Sequence, residues 1–189
     1  MISTHAQEGF DLLLIRSLKA SLPAAMEHSE IGITSEVADL VEQEAVVLTV
    51  SSYLFRLMVM IHFKQDAKTL AYMANMSAPT ETEAAPEAGV EQQTFHDAIA
   101  EYGNLFCGIL NRELGSYFPH IGMSTPNFLD GHCLSYIQML NCSHIQHFAV
   151  ALDGEPLFHV SLCVSAYDDL DFVVSADEAS ASTGELELF

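Results

Sequence analysis

Basic residues are scarce in this sequence. Lys and Arg number 6 against 26 Asp and Glu, the formal charge is −20, and no Lys or Arg follows Arg112. Nucleic acid and anionic lipid both require Lys/Arg clusters to neutralise phosphates, so neither is expected as a partner. Long hydrophobic runs are also lacking. The most apolar, residues 53–63, is short and broken by Arg56, so it reads as a strand and not a membrane span. The opening MISTHAQEGF has no basic region followed by an apolar one, so we expect no signal peptide and a cytoplasmic location. Four cysteines occur, none in a C-x-x-C pair and all among apolar neighbours, which favours buried reduced thiols over redox chemistry. There is no long internal period, no Gly-rich phosphate loop and no G-x-S-x-G.

The 189 residues are 50% apolar, enough for one domain with a sizeable core, drawn over residues 1–174. Phe10, Leu13, Leu14, Ile15 and Leu18 give a first helix over about 7–22, with Pro23 after its last turn. Residues 44–51 and 53–63 are rich in Val, Leu, Phe and Ile and read as strands, with a break at Ser51-Ser52. A short helix is expected over about 65–76. Residues 77–93 lack aromatic and basic side chains and are rich in Pro, Ala and Glu, which reads as an acidic mobile linker inside the domain. Strand-like pieces follow at 127–129 and 133–139. The runs 145–152 and 157–164, either side of Asp153-Gly154, predict a hairpin. The acidic, Ser/Ala-rich tail at 175–189 is expected to be disordered.

Residues 94–126 hold the most informative pattern. Phe95, Ala98, Ile99, Tyr102, Leu105, Phe106, Ile109 and Leu110 recur at helical spacing as an apolar side, with Gly115 as the stop. Asp97, Glu101, Asn104 and Gly108 share a different, polar face. An exposed glutamate on a wet helix face is ordinary, whereas mid-helix Asn is mildly unfavourable and draws attention. Thr94-x-x-Asp97 has capping-box spacing, so Asp97 is assigned mainly to the cap and the helix dipole. His144 and His147 would face opposite sides of a strand and no carboxylate or thiol completes a set with them, so a metal site is not expected.

The spacing Asp97-x3-Glu101-x2-Asn104-x21-Pro126, within AEYGNLFCGILNREL and IGMSTPNFLDG, resembles the motif of the CheC/CheX/FliY chemotaxis phosphatases, and CheX in particular. The first helix carries no E-x-x-N, which is similar to single-site CheX-type members. The resemblance implies an α/β (more strictly α+β) fold: a largely antiparallel sheet with the long helices packed on one face. It implies a phosphatase acting on the aspartyl phosphate of a CheY-like receiver domain. Asn104 would position the hydrolytic water and Glu101 would dock on the receiver's active-site lysine. Asp97, Gly103, Gly108 and Pro126 would support them, the two glycines by allowing close approach of the partner. The chain would need no cofactor of its own, Mg²⁺ lying on the receiver, and a homodimer is implied. The alternative is a non-catalytic CheX-like module that binds a receiver or flagellar-switch partner.

Overall fold

The computed structural model of the chain describes residues 1–22, 29–35, 44–64, 69 and 88–175. The first helix, α1 (Thr4–Ser21), starts where the Ser3 hydroxyl accepts the Ala6 N–H at 3.1 Å. The strands are β1 (Glu30–Ile33), β2 (Glu44–Ser51), β3 (Phe55–Phe63), β4 (Gly122–Met123), β5 (Asn127–Asp130), β6 (His144–Leu152) and β7 (Glu155–Ala166). The second long helix, α2 (Ala88–Gly115), lies between β3 and β4 in the chain, and a 3-10 helix (Gly131–Leu140) follows β5. The strands form one antiparallel sheet in the order β1-β6-β7-β3-β2-β4, with β5 also on β2. Two tight turns set its register. The Ser52 hydroxyl accepts the N–H groups of Leu54 and Phe55, closing β2 onto β3. Asp153 (φ 55) and Gly154 (φ 80) form the two-residue turn of the expected β6–β7 hairpin, where both positions need positive φ.

Period-two alternation sends the sheet's two faces to different fates. Val46, Leu48 and Val50 of β2, Leu57, Val59 and Ile61 of β3, and Val160 and Leu162 of β7 are fully buried in one core with Phe10 and Leu14 of α1 and Ile99, Phe106 and Leu110 of α2. Both long helices therefore lie on one face, as expected. They are joined there at Tyr102, whose buried hydroxyl is hydrogen-bonded to that of Ser21 at 3.2 Å. Burial raises the Tyr102 pKa further, so the phenol stays neutral.

The opposite face carries a smaller cluster of Val47, Met60 and Cys163 under Ile137 of the 3-10 helix. Beside it lies a polar set. Ser161 Oγ is 3.0 Å from His62 Nε2 and 2.8 Å from His147 Nδ1, while His62 Nδ1 is buried with no partner among the described residues. A hydroxyl has one proton to donate. The assignment that buries no unpaired N–H has His62 Nε2–H donating to Ser161 and Ser161 donating to His147 Nδ1. His144 instead bonds Asp11 of α1 at 2.8 Å, so His144 and His147 face opposite sides of β6 as the alternation requires.

Several expectations need correction. α2 begins at Ala88, so residues 88–93, read as linker, are helical. Thr94 is then inside the helix, and the capping-box reading of Thr94 and Asp97 fails. Asp97 lies more than two turns from the helix start, beyond the reach of the terminal dipole. Residues 133–139 are not a strand but part of the 3-10 helix. Asp130 ends β5 and caps that helix, its carboxylate accepting the His132 N–H at 2.8 Å. Cys107 and Cys163 are buried, with burial pushing their thiols up to about 11 and about 12, but Cys133 is exposed and Cys142 half-buried. The four- and two-residue strands β1 and β4 are too short to show a period in sequence. The expected helix at 65–76, apart from Thr69, lies outside the described residues, as do 77–87 and 176–189.

The His62 pKa is lowered to about 3, by burial first and by the neighbouring His159 and His147 second. An imidazole whose folded pKa lies below its unfolded value takes up its proton on unfolding, so stability is full above about 6.5 and falls as pH drops toward 3. Urea unfolding between pH 7 and pH 4 should show stability falling on the order of a few kcal/mol through this group, and His62→Leu should flatten that slope.

Candidate functional site

The site is built from one face of α2 and the sheet edge beside it. Asp97, Glu101 and Asn104 are exposed and Gly108 is half-buried, on the side of α2 turned away from the core. At 3.6 residues per turn, Asn104 stands about 60° around the helix from Glu101, so the two side chains flank one ridge. This face therefore presents carboxylates beside a carboxamide, able to accept and donate hydrogen bonds at adjacent points.

Gly103 does not belong to this face. It is buried, and a Cβ built on it would lie 3.2 Å from Leu48 Cδ1 and 3.3 Å from Val46 Cγ1 of β2. The reading of Gly103 as clearance for a partner is corrected: it is clearance for the sheet. Gly108 differs, since a Cβ there would meet nothing within 4 Å. The N-terminal half of α2 is held to the same strand by His96, whose Nε2 is 2.7 Å from Glu44 Oε2 and whose ring lies 4.5 Å from that of Phe128 of β5. His96 and Gly103 mark the sheet side of the helix and Tyr102 marks the α1 side. Asn104 is angularly nearer the former, so it leans toward β4 and β5.

Pro126 lies in a break in that edge. Val50 of β2 pairs with Met123 of β4, and Val47 pairs with Asn127 of β5. Two residues of β2, Leu48 and Thr49, thus face three, Ser124, Thr125 and Pro126. This is a bulge, and proline suits it because no ladder N–H is required there. The bulge is pinned to β2. Ser124 N–H donates to Thr49 O at 2.8 Å, and Thr49 N–H donates back to Ser124 Oγ at 3.0 Å. Leu48 meets Gly103 from below while Leu48 and Thr49 stand opposite the bulge, so the segment holding Pro126 is level with Asn104 along β2.

Two features escaped the sequence reading. Leu105, assigned to the apolar side, is 52% exposed and sits on the α1 side of the Glu101–Asn104 ridge. Its place at the margin of the apolar arc was the available signal. Met123, 40% exposed, pairs with Val50 and so points to the helix face. Among the described residues, no group of three or more His, Cys, Asp or Glu side chains could hold a metal ion, and no helix is long and apolar enough to cross a membrane.

No protein-family model matches the sequence, and no curated protein matches it. Solved structures do match the fold. A CheX–CheY–BeF3–Mg complex from Borrelia burgdorferi aligns with TM-score 0.59 at 14% identity, covering 84% of this chain and 96% of that one. The CheX of a Desulfovibrio desulfuricans subspecies aligns with TM-score 0.55 at 11% identity, covering 83% and 99%. A CheC-like protein from Shewanella oneidensis aligns with TM-score 0.52 at 13% identity, covering 84% and 96%. The fold is that of the CheC/CheX-like proteins, as the resemblance implied.

The two glycines of α2 should respond oppositely to substitution. Gly103→Val overpacks the helix–sheet contact at a cost of ~1–3 kcal/mol and should lower the melting temperature. Gly108→Ala enters open space in a helix, gains ~1 kcal/mol and should raise the melting temperature by roughly 2–4 °C. Calorimetry of the two variants checks both signs.

Proposed function

We propose that this chain is a phosphatase for the aspartyl phosphate of a CheY-like receiver domain. The observation that carries the reading is the outward, adjacent presentation of Glu101 and Asn104 on α2. It is supported by the fold likeness to a CheX crystallised with CheY, BeF3 and Mg. Residues 101 and 104 have the roles that the motif implies, and Pro126 shapes the edge beside them.

Hydrolysis of an acyl phosphate requires a water in line with phosphorus. Its loose transition state depends on positioning and electrostatics more than on a strong base. The Asn104 carboxamide fits that need: Oδ1 accepts a hydrogen bond from the water and Nδ2 donates to a phosphoryl oxygen. The water oxygen bonds to phosphorus, the bond from phosphorus to the aspartate oxygen breaks, and the products are inorganic phosphate and the free carboxylate. Glu101 would repel the phosphoryl group unless paired, and its partner is the receiver's active-site lysine. That pair fixes the rotation of one protein on the other, so that Asn104 meets the water. The metal ion belongs to the receiver, and this chain supplies no ligand to it. Action in the cytoplasm, and as a homodimer, belongs to the same proposal.

Decay of phosphate on purified receiver domains, with and without this protein, tests the reading. Asn104→Ala should remove most of the acceleration, on the order of a hundredfold, because holding a nucleophilic water contributes at least that much. Its binding to the receiver should survive. Glu101→Ala should weaken binding and rate together. Binding to a receiver with no acceleration by the wild-type chain would leave the non-catalytic module as the function.

A further inference from the structure

The bulge at residues 124–126 has a chemical consequence beyond shaping the edge. The Ser124 hydroxyl accepts the Thr49 N–H and donates to Thr125 O at 3.0 Å, and Asn127 Nδ2 donates to the same carbonyl at 3.1 Å. With Ser124 N–H on Thr49 O, four hydrogen bonds hold the segment still. Thr125 stands exposed at its centre, and among the described residues neither its N–H nor its hydroxyl has a hydrogen-bond partner. A rigid edge thus presents two unspent donors.

In register along β2, the bulge stands level with Asn104. Gly103, the residue before Asn104, sits on Val46 and Leu48, and the bulge faces Leu48 and Thr49 on the adjoining strand position. The exposed α2 face carries Asp97 and Glu101, whose ionised carboxylates can only accept. A partner surface around a phosphorylated aspartate is rich in acceptors, from phosphoryl oxygens to the carbonyls of the loops that hold it. The α2 face meets that surface through Glu101 on the lysine and Asn104 Nδ2 on an acceptor, and the bulge adds donors beyond that single carboxamide.

Resting on the phosphatase reading above, we infer that Thr125 is a second docking residue, its hydroxyl donating to an acceptor on the receiver domain at the rim of the phosphoaspartate site. It acts through the pose of the complex and not on the water. The contact is made equally in the bound and transition states, so its loss raises KM and leaves kcat unchanged. One neutral hydrogen bond sets the size at about three- to tenfold.

The test uses the full chain with Thr125→Val, which keeps the β-branched shape and removes the hydroxyl, and Thr125→Ser, which keeps the hydroxyl. Asn104→Ala runs beside them, with a receiver domain phosphorylated by a small-molecule phosphodonor. Thr125→Val should raise KM about three- to tenfold at constant kcat, Thr125→Ser should restore the wild-type KM, and both should melt with the wild type. Equal KM for wild type and Thr125→Val, in a protein whose activity depends on Asn104, overturns the Thr125 role alone. Equal loss in Val and Ser reassigns the residue to holding the bulge and also overturns it. If the wild type binds the receiver but is inert, the dissociation constant replaces KM and is read the same way. If the wild type neither accelerates decay nor binds, the phosphatase reading falls and this one with it.

Discussion

The approach of α2 to β2 at Gly103 is the constraint from which the site's geometry follows. A side chain at that position would crowd the sheet, since its first carbon would stand 3.2 Å from Leu48 Cδ1 and 3.3 Å from Val46 Cγ1, and these would have to give way by a few tenths of an ångström. With glycine there, Ile99, Phe106 and Leu110 of α2 reach the same core as Val46, Leu48 and Val50, and the rotation of the helix about its own axis is set. Fixing that rotation aims the next residue, Asn104, outward and toward the β4–β5 edge. It also leaves Glu101 one turn earlier on the same ridge. The core and the site are therefore one packing problem. A helix free to roll by one residue, about 100°, would carry the carboxamide away from the edge bulge.

The two faces of the sheet divide the remaining work. Under the helices the core is mainly apolar, and the hydroxyl pair of Ser21 and Tyr102 joins α1 to α2. On the other face the chain buries His62 and Ser161. Burying polar groups is tolerated because the Ser161 hydroxyl is shared between two imidazoles, one donating and one accepting. The leftover ring nitrogen of His62 carries a lone pair and not a proton in this assignment, the less costly of the two to strand. The sheet that presents the candidate site on one face thus carries a buried pH-sensitive element on the other.

Much of the fold was legible because burial writes a period into sequence. β2 and the β6–β7 hairpin were found within a residue or two, since apolar runs bounded by Ser-Ser and Asp-Gly turns admit few other structures. The face holding Asp97, Glu101, Asn104 and Gly108 was legible for the same reason. The start of α2 was not: residues 88–93 have too little apolar content to announce a helix, and Thr94 offered a cap where the chain already had one to two turns of helix. The 3-10 helix was misread as a strand because six apolar residues in eight carry no usable period, with Ile137 turned inward while Tyr136, Met139 and Leu140 stay exposed.

The spacing of residues 97, 101, 104 and 108 was settled by the chain itself, as was the alternation that makes a two-faced sheet. Both depend only on the repeat of the local backbone, 3.6 residues in a helix and two in a strand. Which surface each residue would meet was decided by the tertiary structure. Gly103 and Gly108 look alike in sequence, yet a Cβ on one would press against Leu48 and a Cβ on the other would enter open space. The bulge that holds Pro126 and Thr125 exists only as a mismatch of two residues against three between strands more than seventy positions apart in the chain. No local pattern encodes such a mismatch, because it is a property of the pairing and not of either strand alone.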